Sequence, residues 1–123
     1  MLANTTGYDN TAVGRRALDA NTEGHSNTAV GESSLTSNTT GNRNVAIGQN
    51  CMAVNTTGGE NVAIGRNALD ANTTASNNTA IGDSALSANT TGVHNVAVGA
   101  ATMDANTSGG YATAIGNAAL GSC

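Results

Sequence analysis

One five-residue figure recurs along this chain at a fixed step of seventeen residues. It reads Asn-Val-Ala-Ile-Gly at Asn44–Gly48, and variants of it occupy the same phase throughout the chain. The other copies are 10–14, 27–31, 61–65, 78–82, 95–99 and, with the Asn replaced by Ala, 112–116. Such regular repetition is typical of architectures in which each unit is too small to fold alone and is stabilised by its neighbours.

The period divides the chain into seven tandem units that cover residues 4–122. Residues 1–3 then correspond to the tail of a preceding repeat, because Met1 falls where every unit has Leu or Met, and residue 123 stands alone after the last unit. We expect either a segment of a longer array or a subunit that stacks end to end into a filament, since neither terminus has a recognisable cap.

The composition favours a thin, regularly stacked core. The chain has no Phe, Trp or Pro and two Tyr among its 123 residues, but 16 Gly. Ala, Val, Ile and Leu without aromatic residues fill narrow spaces. Gly and Asn-Thr in every unit leave no uninterrupted span of the ~12 residues that a helix wants. The strict phase of the apolar positions also argues against disorder.

Short strands fit the repeated figure better. With the two-residue period of an extended chain, Val45 and Ile47 are predicted to fill the interior and Ala46 to face outward. A second extended segment, ending in Leu or Met as at Met52, is predicted to face the same interior. Gly48 is predicted to form a corner that requires positive φ or close backbone approach. The Asn residues equivalent to Asn4 are predicted to stack into a hydrogen-bonded ladder.

These features predict an all-β parallel β-solenoid of seven 17-residue coils. Each strand pairs with its equivalent one coil further at about 4.8 Å, which gives a rod of roughly 33 Å. The flat ladder of Ala residues is expected to pack against another copy of the chain at an oligomer axis.

The figure Asn-Val-Ala-Ile-Gly resembles the head repeats of trimeric autotransporter adhesins of the YadA type. The longer unit, as in residues 72–86, resembles seventeen-residue repeats of phage tail-fibre proteins with endosialidase-type chaperone domains. The resemblance covers residues 4–122. It implies a left-handed parallel β-roll, a homotrimer, and a fibre at a cell surface or on a virion that serves attachment.

The charge and hydropathy of the chain argue against some classes of partner. The net charge is −4 with 10% charged residues, so the chain lacks the basic footprint of a nucleic-acid-binding protein. No apolar run approaches the roughly 20 residues of a membrane span. We therefore expect a non-enzymatic structural or adhesive fibre segment, extracellular, on a cell surface or on a virion, without cofactor or metal. An ice-binding solenoid and a filament without a receptor are the alternatives.

Positions that vary between repeats are the candidates for contact with a receptor or glycan. They are Tyr8, Asp9, His25, Asn42, Arg43, Glu60, Val93, His94 and Tyr111. The two His residues lie four coils apart, roughly 19 Å, so they are not expected to share a metal within one chain. Cys51 is interpreted as a small core or edge residue. An internal disulfide with Cys123 is excluded by more than four coils of separation, whereas Cys123 is a candidate for pairing between subunits.

Two further sets of residues, a group of Asn and two rows of Thr, suggest glycosylation and ice binding respectively. Acceptor sequences for N-glycosylation begin at Asn4, Asn38, Asn55, Asn72, Asn77, Asn89 and Asn106, although turn chemistry also explains a repeated Asn-Thr. Two Thr rows, one through Thr39 and Thr56 and one through Thr40 and Thr57, motivate the ice-binding alternative. Both rows point outward only if they lie at a turn.

Overall fold

The computed structural model describes residues 1–121, which form a β-solenoid with one three-residue strand in each repeat. The strands are β1 (Thr11–Val13), β2 (Thr28–Val30), β3 (Val45–Ile47), β4 (Val62–Ile64), β5 (Thr79–Ile81), β6 (Val96–Val98) and β7 (Thr113–Ile115). They make one seven-stranded parallel sheet in chain order. Each strand pairs with its equivalent seventeen residues later, as Ala46 does with Ala63. The all-β solenoid and the in-register stacking are confirmed.

The glycine after each strand adopts a conformation that other residues rarely take. Gly48 has φ 139°, and a Cβ built on it would lie 2.5 Å from the carbonyl oxygen of Gly65 in the next coil. Both the positive φ and the close approach of neighbouring backbones therefore require glycine here. The predicted corner is confirmed.

The orientation predicted for the strands is wrong. The central Ala of the strand faces inward, and Ala46, Ala63 and Ala80 are fully buried. The third residue of the strand faces outward, since Ile47 and Ile64 keep 38% and 36% of their surface exposed. The physical reason is space: the interior opposite the strand is already filled by the Leu/Met column and leaves room for a methyl group.

The Leu/Met column occupies the interior as predicted but not in an extended segment. Leu35, Met52 and Leu69 are fully buried, and each has a left-handed backbone with φ between 49° and 51°. The residue two positions earlier in the chain, such as Asn50 at φ 54°, is also left-handed. Two left-handed residues in close succession make this side of the coil a series of turns rather than a strand.

Two Asn ladders complete the interior. In the first, Asn55 Nδ2 donates to Asn38 Oδ1 at 2.9 Å and to the Gly58 carbonyl at 3.0 Å. In the second, both the backbone N–H and Nδ2 of Asn44 donate to Asn27 Oδ1, at 2.9 and 3.2 Å. Within residues 1–121 every buried side-chain nitrogen and oxygen atom has a hydrogen-bond partner. The predicted ladder is confirmed, and the second ladder lies beside it.

Candidate functional site

The nine variable residues predicted to contact a partner all lie on one corner of the solenoid. This variable corner consists of two adjacent columns, which begin at Tyr8 and at Asp9 and continue every seventeen residues. The first column contains Tyr8, His25, Asn42 and Val93, and the second contains Asp9, Arg43, Glu60, His94 and Tyr111. The coil spacing of about 4.8 Å therefore turns residues distant in the chain into neighbours on one surface.

The backbone of the variable corner holds its side chains toward solvent. Residues of the second column are left-handed, with φ 57° at Arg43 and 60° at Glu60. Their N–H groups donate to first-column carbonyls of the preceding coil, as Glu60 does to Asn42 at 2.9 Å. Since the backbone groups are used between coils, the side chains provide the chemistry of this surface.

An imidazole stacks on a phenol ring near each end of the variable corner. The rings of Tyr8 and His25 are 4.7 Å apart and nearly parallel at 9°, and those of His94 and Tyr111 are 4.9 Å apart at 20°. Both tyrosines are exposed, Tyr111 by 80%. Among the described residues, no cluster of three or more His, Cys, Asp or Glu side chains is arranged to hold a metal ion.

A depression interrupts the middle of the variable corner. Gly59 stands in the first column between Asn42 and Ser76, and the missing side chain leaves a cavity of about 310 Å³. Arg43 and Glu60 line it and form an ion pair, with Nη1 and Oε1 3.2 Å apart. The depression is thus polar, shallow and open to solvent.

The outer sheet face is a second candidate surface, which the sequence interpretation placed in the interior. It consists of the first and third residues of every strand, all of them Val, Ile or Thr. Next to it runs a polar rim with exposed ion pairs, including Arg66 Nε to Asp83 Oδ1 at 2.8 Å. The hydrogen bond from Arg66 lowers the pKa of the Asp83 carboxyl and raises that of the guanidinium.

Most of the predicted glycan acceptors belong to the first Asn ladder. Asn38, Asn55, Asn72 and Asn89 are fully buried, and their Nδ2 atoms donate to a neighbouring Asn and to a carbonyl. A glycan would replace one of the two hydrogens of such a nitrogen and break one of its two buried bonds, so these residues are poor acceptors in the folded chain. Asn77 is exposed on the variable corner, while Asn4 is exposed and Asn106 half-buried at the ends of the ladder.

The two Thr rows differ in what their hydroxyl groups do. In the first row, Thr39 Oγ1 donates to the Thr56 carbonyl at 3.1 Å, and Thr56 donates likewise to Thr73. Thr40 and Thr57, in the second row, are exposed. The first row therefore stabilises the contact between coils, and five of its seven hydroxyl groups donate in this way: those of Thr5, Thr22, Thr39, Thr56 and Thr90.

Cys51 is a core residue, as predicted. It is fully buried, and its Sγ donates to the Ala63 carbonyl at 3.1 Å, as Ser34 Oγ does to Ala46 at 2.8 Å one coil earlier. Burial raises the pKa of the Cys51 thiol to about 12. The pairing predicted for Cys123 lies outside the described residues.

Sequence reasoning missed the outer sheet face because both sides of the strand are apolar. The overlooked signal is the constancy of the central Ala, compared with the exchange of Val for Thr and of Ile for Val at the flanking positions. A position that accepts one size is typical of a tightly packed interior. A position that accepts any β-branched residue is typical of a pleated surface.

Comparisons with known protein families, with curated proteins and with solved structures each find no match to this chain. Among residues 1–121 there is no helix with the length and apolar character needed to cross a bilayer.

Proposed function

We propose that this chain is a non-enzymatic structural and adhesive segment of an extracellular or virion fibre, in which copies associate laterally through the outer sheet face. The observation that carries the proposal is the exposed apolar character of that face. Val13, Ile47, Ile64, Ile81 and Ile115 expose between 36% and 72% of their surface. A contiguous apolar patch of this kind on a water-exposed rod is typical of an interaction surface.

The occupant of the outer sheet face is a further copy of the same chain. The face carries no charged residue from β1 to β7, and its rows repeat at every coil, so the surface of one copy matches that of another along the rod. Three copies around one axis is the stoichiometry that the resemblance to trimeric fibre repeats implies. The contact uses the β-branched rows, whereas the Ala ladder first expected to make it is buried.

The solution mass of the chain tests lateral association. Light scattering after size-exclusion chromatography is expected to give three times the monomer mass for the parent chain. Ile64→Glu, in the middle of the face, is expected to give a monomer, because a carboxylate buried in an apolar contact is strongly unfavourable. Thr57→Glu places the same charge on an exposed side chain of the same coil and is expected to leave the trimer intact.

A parent chain that stays monomeric up to a concentration of about 100 µM would overturn lateral association, since a contact more favourable than about −5.5 kcal/mol would be populated at that concentration. A trimer unaffected by Ile64→Glu would place the contact on another surface. Electron microscopy of the same preparation tests the end-to-end assembly that we propose as an extension of the fibre. Continuous filaments are its expected result, and separate short rods would contradict it.

The ice-binding alternative has weaker physical support than the fibre. One of the two Thr rows that motivated it donates its hydroxyl groups to carbonyls of the next coil, as Thr39 and Thr56 do. Ordering of water across two adjacent Thr rows requires both rows to present their hydroxyl groups. Thermal hysteresis of a concentrated solution is expected to be absent, and its presence would favour this alternative over the fibre.

A further inference from the structure

The depression at Gly59 has the shape of a groove along the variable corner. Asn42 and Ser76 lie before and after it in the same column, and Arg43, Glu60 and Asn77 lie beside it in the second column. A Cβ at position 59 would lie 3.0 Å from the Asn42 carbonyl oxygen. The groove therefore exists because Gly59 lies between two side-chain-bearing members of a column that carries Tyr, His, Asn, Ser and Val and has its only other glycine, Gly110, at its last position.

The charges of the groove balance each other. Its one cation and its one anion, Arg43 and Glu60, are paired at 3.2 Å across neighbouring coils. An anionic ligand would have to compete with Glu60 for Arg43, and a cationic ligand with Arg43 for Glu60. The groove thus favours an uncharged ligand that accepts hydrogen bonds from the guanidinium and donates them to the carboxylate at the same time.

The remaining polar groups of the groove offer donors and acceptors side by side. Ser76 Oγ accepts from the Gly59 N–H at 3.0 Å, which leaves its own hydrogen to donate. Asn42 Oδ1 accepts from the His25 N–H at 2.8 Å, so the amide oxygen is engaged and the amide hydrogens remain to donate. Asn77 presents a whole exposed amide. A ligand with many hydroxyl groups, each both donor and acceptor, matches this mixture.

Two observations exclude other occupants of the groove. An added peptide strand needs unpaired backbone groups, but the Glu60 N–H donates to Asn42 O at 2.9 Å and the Asn77 N–H to Gly59 O at 3.2 Å. An apolar small molecule needs a deep apolar pocket, whereas this depression is open and lined by polar side chains. Recognition here therefore depends on side chains that protrude into water.

We infer that the groove binds a neutral oligosaccharide, which lies along the solenoid axis across the coils of Asn42, Gly59 and Ser76. One coil advances the surface by about 4.8 Å, similar to the length of one pyranose unit, so successive sugars meet successive coils. His94, one coil beyond Asn77 and stacked on Tyr111, supplies an aromatic ring that the C–H face of a sugar can cover. This ligand class specifies the attachment role proposed above and rests on it.

The test is binding of the purified full chain to an array of neutral, sialylated and sulfated oligosaccharides, followed by calorimetry with the strongest neutral oligosaccharide on the array. Gly59→Asn fills the groove with a residue that the same column accepts at Asn42, and Glu60→Gln removes the carboxylate while keeping its shape. Each is expected to weaken binding at least about tenfold, Gly59→Asn because its side chain occupies the groove and Glu60→Gln through the loss of one hydrogen bond to a charged group. Glu32→Gln alters a similar ion pair outside the groove, that of Arg15 and Glu32 at 3.1 Å, and is expected to bind like the parent.

Three results would overturn the inference: no binding to any oligosaccharide, binding restricted to charged oligosaccharides, or binding that Gly59→Asn and Glu60→Gln leave unchanged. Circular dichroism of each variant shows whether the solenoid is intact, and the solution mass of the same samples reports lateral association separately. A trimer that binds no oligosaccharide contradicts this inference alone. A monomer that binds one contradicts lateral association and supports the groove.

Discussion

Removal of one amide from the middle of the first Asn ladder is expected to destabilise the whole solenoid. Asn55 is fully buried and takes part in three side-chain hydrogen bonds. It donates to Asn38 Oδ1 at 2.9 Å and to Gly58 O at 3.0 Å, and it accepts from Asn72 Nδ2 at 2.8 Å. Asn55→Ala deletes all three bonds at once. Because the site is buried, water does not replace them.

The size of the destabilisation follows from which hydrogen bonds each former partner of Asn55 keeps. Gly58 O still accepts from Asn44 Nδ2 at 2.8 Å, so it stays satisfied. Asn38 Oδ1 loses its donor, and one N–H of Asn72 Nδ2 loses its acceptor. A buried polar group without a partner costs about 1–3 kcal/mol, so the free energy of unfolding is expected to fall by about 4 kcal/mol. That is a large part of the ~5–15 kcal/mol that stabilises an ordinary domain.

Guanidinium titration followed by far-ultraviolet circular dichroism measures this loss. Asn4→Ala is the matched control, because Asn4 stands at the exposed end of the same ladder and also accepts from the next amide, Asn21 Nδ2, at 2.9 Å. Water can replace the lost bonds there, so the control is expected to change stability by less than about 1 kcal/mol. Equal losses in the two variants would refute the argument that burial gives the ladder its energetic weight.

Three further substitutions probe other columns. Gly48→Ala is expected to cost more than the ~1–3 kcal/mol of backbone strain alone, since its Cβ would contact the backbone of the next coil. Gly116→Ala is the control in the same denaturation assay: Gly116 has φ 125° and its Cβ would have no contact closer than 3.9 Å, so the strain alone is expected. Ala101→Gly, at φ 52°, is expected to raise the melting temperature, with a gain of up to about 1 kcal/mol, whereas Ala100→Gly, whose backbone is not left-handed, is expected to lower it. Because the pKa of Cys51 is raised to about 12, its contribution to stability is present below the unfolded pKa of about 9 and is lost as the pH rises toward 12. Between pH 9 and 10 the free energy of unfolding of the parent is therefore expected to fall by about 1 kcal/mol more than that of Cys51→Ser in urea titrations. The same pH dependence of stability in both proteins would contradict this.

The periodicity of the sequence was sufficient to predict how coils stack. A repeat without insertions puts equivalent residues of neighbouring coils in register, so the Asn ladder, the Leu/Met column and the glycine corner are direct consequences of the spacing. The positive φ of Gly48 and the burial of Cys51 were predictable for the same reason. For the candidate site, variation between repeats was enough to single out residues that the structure brings onto one corner.

The shape of a single coil was less predictable than the stacking of coils. Leu69 and Asn67 adopt left-handed conformations at φ 51° and 56°, although residues other than glycine pay about 1 kcal/mol or more for such a backbone. Interactions between coils compensate for this local strain, as in the hydrogen bond from Leu69 N–H to Ala85 O at 3.0 Å. Local propensity points away from such turns, and the compensating partner lies sixteen residues further along the chain.

Comparison of the repeats with the structure separates the residues that build the rod from those available to a partner. Asn, Gly, Ala and Leu/Met recur in nearly every repeat, and the structure uses them for ladders, corners and core. The outer sheet face must stay β-branched to remain a flat strand surface, so it can specify self-association but carries little information that distinguishes one coil from the next. The variable corner is less constrained, because the N–H of each second-column residue from Ser26 to Tyr111 donates to a carbonyl of the preceding coil whatever its side chain is. Only Asn42 and Ser76 in the groove also accept a backbone N–H of a neighbouring coil through their side chains. Selection for a particular ligand can therefore act on residues such as Gly59 and Glu60 without disturbing the ladders that hold the coils together.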